Sequence, residues 1–189
     1  MAHILRLTIK KSMAVLVFLF LLTGNSYAKA QWEKFAETGA TYVKGDLFDL
    51  GIEKLTISID IYPNYDAYLY RGLAYTGKQL YDKAISDFSE AIAIDPNDVA
   101  AYSGRGNAYA LKGWYPQAFS DLNEAIKMKP DDGRAYLYRA KIYYGLKEYK
   151  MAWEDLKTAR MLGQPVDDET MEAYQKKALE NSGKSKSKR

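Results

Sequence analysis

The sequence predicts an all-α chain of paired helices stacked in series. Three observations predict it: a motif that recurs at a fixed interval, helical spacing of the apolar positions inside each copy, and small residues held at the same places in every copy. Gly72, Tyr75, Ala84, Phe88, Ala91 and Pro96 reappear as Gly106, Tyr109, Ala118, Leu122, Ala125 and Pro130, each 34 residues on. A third copy carries Ala140, Tyr143, Ala152, Leu156 and Ala159, with its proline one place late at Pro165. Upstream, "FDLGIEKLTISIDIYPN" (48–64) aligns with "YDKAISDFSEAIAIDPN" (81–97) at an offset of 33. A fixed period of this size marks an array in which each unit contacts only its neighbours.

The elements follow in chain order. Residues 1–28 have a positive front (Arg6, Lys10, Lys11) and then an uninterrupted apolar run of ten, Met13 to Leu22. Small residues suited to cleavage follow, so the expectation is a secretory signal peptide cut after Ala28 or Ala30. The run is short for a membrane span; the rival reading is an uncleaved anchor. With no cysteine in the chain, a lipid-modified cleavage site is excluded and disulfides play no part, although export would permit them. The layout predicts a periplasmic or secreted protein of a bacterial envelope, with no stable membrane anchor after cleavage.

Residues 32–64 form a worn first copy, in which Gly51 and Ser58 replace the expected alanines and predict looser packing. Full copies span 65–98, 99–132 and 133–166. In the second, Tyr102, Gly106 and Tyr109 lie on one helical face, and Ala118, Leu122 and Ala125 on another. Gly113 between them can take the left-handed conformation that ends helices, Pro116 is tolerated in a first turn, and Pro130 marks the stop. Gly72, Gly106 and Ala140 on the first helices, and Ala84, Ala118 and Ala152 on the second, let each pair approach closely while tyrosines fill around them. A capping helix is expected over 167–182, with Asp167 or Asp168 accepting at its start and Gly183 closing it. Residues 183–189 read as a basic disordered tail.

The combination of small residue, Tyr, Ala, bulky apolar, Ala and Pro at these separations resembles the tetratricopeptide repeat, over about 32–165. The resemblance implies a right-handed α-α superhelix of helix–turn–helix repeats ending in the capping helix. Where that family usually carries a leucine before the small residue, this chain has Arg71, Arg105 and Arg139. These are expected to lay their stems on the helix pair and hold their heads in water.

Charge and composition narrow the function. The chain holds 27 basic and 24 acidic residues; removing 1–28 leaves 24 of each, and setting aside 183–189 leaves a body of net −4. The array lacks the basic footprint of duplex recognition, so no nucleic-acid partner is expected. The only histidine is His3 in the leader, so the mature chain has neither His nor Cys. That removes the commonest general base, the thiolate nucleophile and the usual zinc ligands; no catalytic, cofactor or metal site is expected. The carboxylate pairs Asp87/Glu90 and Asp121/Glu124 recur at one register, with Glu154/Asp155 beyond them, and read as a solvated face.

Binding remains. The resemblance implies that first helices line a concave groove for a protein or peptide. By position the groove displays Leu69, Tyr70 and Leu73, then Ser103, Asn107 and Ala110, then Arg134, Leu137, Tyr138, Lys141 and Tyr144. Tyr70, Tyr138 and Tyr144 lie outside the repeat-register sites that hold ten of the 17 tyrosines, and Tyr is a favoured anchor at interfaces. Some members of the family clamp the C-terminal carboxylate of chaperones with Lys, Asn and Arg. Only Asn107 and Arg134 fall near such places, and Leu69 and Tyr138 stand where polar clamp residues belong, so that clamp is rejected. The functional classes left open are an adaptor of the cell envelope, a secreted protein that docks on a foreign partner, and, remotely, an enzyme.

Overall fold

The computed structural model describes residues 29–186, which fold as nine α-helices and, among the described residues, no strand. The predicted signal peptide lies outside the described residues. Helix α1 covers 29–44 of the described chain. After it come α2 (Phe48–Ile61), α3 (Tyr65–Gly77), α4 (Tyr81–Ile94), α5 (Val99–Leu111), α6 (Tyr115–Met128), α7 (Gly133–Gly145), α8 (Tyr149–Met161) and α9 (Asp168–Lys186). Consecutive helices pack on one another, and α3, α5 and α7 also touch in series, so the pairs pile into the predicted superhelix. No helix among the described residues is long and apolar enough to cross a membrane.

Two local devices repeat. Each first helix after α1 begins under an Asx cap: Asn64, Asp98 and Asp132 accept from Ala67 N (2.9 Å), Ala101 N (2.9 Å) and Arg134 N (3.0 Å). These satisfy donors that have no partner within the helix. Asp167 does the same for α9, accepting from Thr170 N at 2.7 Å. Each pair is then joined by a turn whose hinge residue has positive φ: Asp46, Gln79, Gly113 and Lys147. In these turns the next N–H reaches back to a tyrosine carbonyl, from Leu47 to Tyr42, Leu80 to Tyr75, Trp114 to Tyr109 and Glu148 to Tyr143. That is the bonding of a Schellman motif. Helix α9 continues through Gly183, which therefore does not end it.

The small residues occupy the helix crossings. A Cβ on Gly106 would lie 2.8 Å from Leu122 Cγ, and one on Gly72 2.9 Å from Phe88 Cε1. Ala84, Ala118 and Ala152 are fully buried opposite them. The worn copy packs as tightly as the others, against the expectation. A Cβ on Gly51 would lie 2.6 Å from Val43 Cγ2. Ser58, 0% exposed, donates to the Trp32 carbonyl and accepts from Asn64 Nδ2. The hydroxyl that replaces an alanine is fully bonded, so its burial carries no penalty.

The arginines and carboxylates correct the sequence reading. Asp87, Asp121 and Asp155 are buried, not part of a solvated face. Arg71, Arg105 and Arg139 grip them in two-pronged pairs at 2.7–2.9 Å, so the heads are not in water. The remaining guanidinium nitrogen of each reaches back to the preceding pair, at Thr56, Ser89 and Asn123. Tyr68 and Tyr75, Tyr102 and Tyr109, and Tyr136 and Tyr143 flank the three guanidinium groups at 5.6–6.0 Å. Each arginine thus ties together three helices.

Candidate functional site: a groove on the first helices

Helices α1, α3, α5 and α7 present one face on which three depressions lie in a row. The first, about 530 Å³, lies between α1 and α3 and reaches Tyr70. The second, about 210 Å³, runs from Leu69, Tyr70 and Leu73 across Ser103 and Gly104 to Arg134 and Tyr138. The third, about 160 Å³, lies between Tyr138 and Lys141 on one side and Asn107 and Tyr115 on the other. Tyr70 and Tyr138 are shared walls, each separating two depressions.

The middle depression has a packing cause. Tyr70, Gly104 and Tyr138 occupy one register. Tyr70 packs on the cluster holding Leu55, and Tyr138 on the cluster holding Leu122. At the corresponding core position α4 carries the larger Phe88, 0% exposed. A Cβ on Gly104 would lie 2.7 Å from the Phe88 ring. A bulkier core residue below therefore requires glycine above, and the row of tyrosines is interrupted at its centre. The neighbouring Ser103 is small as well, where the flanking units carry Leu69 and Leu137. Ser103 lines the depression, and its buried hydroxyl has no hydrogen-bond partner.

The structure brings Leu69, Tyr70, Leu73, Arg134 and Tyr138 together around the middle depression, and Asn107, Tyr138 and Lys141 around the third. Leu69 is 9% exposed and forms floor more than contact surface. Burial pushes the Tyr138 phenol up from its ordinary pKa. Arg134 is tethered by Asp132, which accepts from its Nε at 3.1 Å and its Nη2 at 2.7 Å. Tyr144 is not with the others. It stacks on Tyr174 of α9, ring centroids 4.2 Å apart, and meets Tyr149 edge-on at 5.3 Å.

Sequence reasoning passed over α1. Its register could have been carried over like the rest: Glu33 lies 33 residues before Asp66, and Glu37 33 before Tyr70. Both glutamates line the first depression with Asp66. Lys44, also there, has its ammonium over the Tyr70 ring at 5.2 Å.

Comparison with known proteins agrees with this geometry. A TPR repeat model matches residues 72–113, and a tetratricopeptide repeat model matches 99–132. Among curated proteins, none matches the chain. Among solved structures, a thermophilic TPR protein of Thermus thermophilus superposes with TM-score 0.65 at 20% identity, covering 70% of this chain and 74% of its own. The second TPR domain of human RPAP3, solved with the HSP70 peptide SGPTIEEVD, gives TM-score 0.58 at 25% identity, with coverages of 61% and 97%. The TPR2B domain of yeast Sti1, in a complex with pHsp70, gives 0.54 at 29% identity, with coverages of 62% and 97%. Period, helix pairing and small-residue crossings agree with these matches, which show that this chain carries tetratricopeptide repeats over 72–132.

Proposed function

We propose that this chain is a non-catalytic protein-binding scaffold of the bacterial cell envelope, exported by its leader and docking an extended or helical segment of a partner in the groove of α1, α3, α5 and α7. One observation carries the reading: the row of tyrosines on that face is broken at Gly104, leaving an apolar depression between two aromatic walls. Rigid aromatic rings around a desolvated pocket are the usual anchors of protein recognition. Asn107 bonds the partner's backbone, and Lys141 or Arg134 meets an acidic group. The solved relative that carries an HSP70 peptide supports a peptide as ligand. The residues that would answer a chaperone carboxylate clamp remain too few here.

The Tyr70→Ala/Tyr138→Ala double variant is expected to keep its helical circular dichroism and to lose the proteins captured by the wild type from its own envelope extract. Unchanged capture by that variant moves the site elsewhere. Fractionation tests the location: recovery in periplasm supports the scaffold, and recovery in the medium supports a secreted protein with a foreign partner.

A further inference from the structure

Across the groove the register residues become more positive. One rung reads Glu33, Asp66, Ala100, Arg134, and another reads Ala40, Leu73, Asn107, Lys141. The α1 end is acidic, and the α7 end is basic. In the first depression Glu33 and Glu37 are exposed, as is Asp66. Of the cations nearby, Lys44 is drawn over Tyr70 and Lys29 reaches Glu33 from outside at 3.8 Å. Three carboxylates therefore face a large open cleft with one lysine inside it. An acidic peptide such as SGPTIEEVD would meet like charge there, which opposes binding.

The middle depression adds a second, independent feature: Ser103 lines an apolar space between two tyrosines, and its buried hydroxyl has no partner. A buried hydroxyl left unpaired is costly, and an arriving backbone carbonyl or amide would satisfy it. An apolar side chain over Gly104 then fills the gap that the missing tyrosine leaves.

Resting on the groove reading above, we infer that the part of the occupant lying over α1, α3 and α5 is a basic–apolar segment: a bulky apolar side chain seated over Gly104, its backbone bonded by Ser103, with a Lys or Arg in the Glu33/Glu37/Asp66 cleft. The spacing follows from the helices. The two depressions lie about one and a half interaxial distances apart, roughly 12–15 Å, which an extended chain covers in about four residues.

The test uses the full chain and labelled twelve-residue peptides on an alanine–serine background, read by fluorescence anisotropy at low salt. One peptide carries Lys and Phe four residues apart, one has Glu for the Lys, and one has Ala for the Phe. The Lys–Phe peptide is expected to bind about tenfold tighter than either control. On Glu33→Lys/Glu37→Lys protein the preference between Lys and Glu is expected to reverse. Ser103→Ala is expected to weaken the Lys–Phe peptide roughly threefold to tenfold without loss of thermal stability, because alanine suits a helix interior.

Equal affinity for the Lys and Glu peptides, an unchanged preference in the charge-reversed protein, or no binding at all overturns the inference. If Tyr70→Ala/Tyr138→Ala loses the peptide while charge reversal is silent, the groove stands and the basic–apolar assignment alone falls. If that double variant binds as the wild type does, both fall. Tighter peptide binding on removal of 184–189, with self-association of the full chain, makes the chain's own lysine-rich end the occupant and overturns a separate partner.

Discussion

Single residues set the turns and the groove. The hinge of each helix pair needs positive φ, yet only Gly113 supplies a residue without the associated strain; Asp46, Gln79 and Lys147 take it with φ near 60°. A Cβ on Gly113 would meet nothing within 4 Å, so the only cost of a side chain there is backbone strain. Gly113→Ala is expected to destabilise by about 1 kcal/mol. Lys147→Gly is expected to gain or lose only a few tenths, since relief of strain is offset by added chain entropy. Urea midpoints of the two variants measure this, and a large loss in Lys147→Gly contradicts it. Asp132 offers a pH readout. The Arg134 guanidinium beside it holds its carboxyl below the ordinary value of 3.8. Its folded pKa is thus below its unfolded one, so the stability it contributes is full above about pH 4 and is lost as pH falls through the folded value. Asp132→Asn is expected to flatten that acid loss in thermal melts.

At the scale of the element, the arginine forks decide how pairs register. Each links its own two helices and the second helix of the pair before. Removing one partner strands a charge in a half-buried site, so Asp121→Ala is expected to cost about 3 kcal/mol. Replacing both, Arg105→Leu with Asp121→Leu, restores the leucine usual in these repeats and is expected to recover most of that loss. Urea unfolding of the single and double variants separates the cases: equal losses in both would mean that the fork adds more than charge compensation. The Asx caps work beside the forks. Asn64, Asp98 and Asp132 recur every 34 residues directly before a first helix, a repeat that the sequence analysis did not draw on and the structure makes plain.

For the whole molecule, stability is nearest-neighbour. Each pair leans on the next, and α9 covers the last, stacking Tyr174 on Tyr144 and pairing Asp168 with Arg160 at 2.7 Å. A chain ending at Val166 is expected to melt at a lower temperature. It should show faster amide exchange first in α7 and α8, with protection in α3 and α4 retained. Uniform loss of protection would contradict a quasi-linear array. The same layout leaves the three depressions on α1, α3, α5 and α7 open among the described residues, whereas the capping helix takes Tyr144 out of reach.

The sequence by itself determined the period, the helix pairs and the small residues at the crossings, while the choice of the first helices as the groove face came from the resemblance to the repeat family. Those are properties of spacing, and spacing along a helix fixes which side chains share a face. Only the tertiary structure decided the fate of the polar residues. Arg71, Asp87 and their counterparts look like solvated charge until helices sixteen residues apart in sequence bring a fork onto a carboxylate. Ser58 looks like a flaw until Trp32 and Asn64 satisfy it. The pocket over Gly104 exists because Phe88, on the preceding helix, occupies the space a side chain there would need. Burial and pairing depend on what arrives from elsewhere in the chain, and no local pattern encodes that.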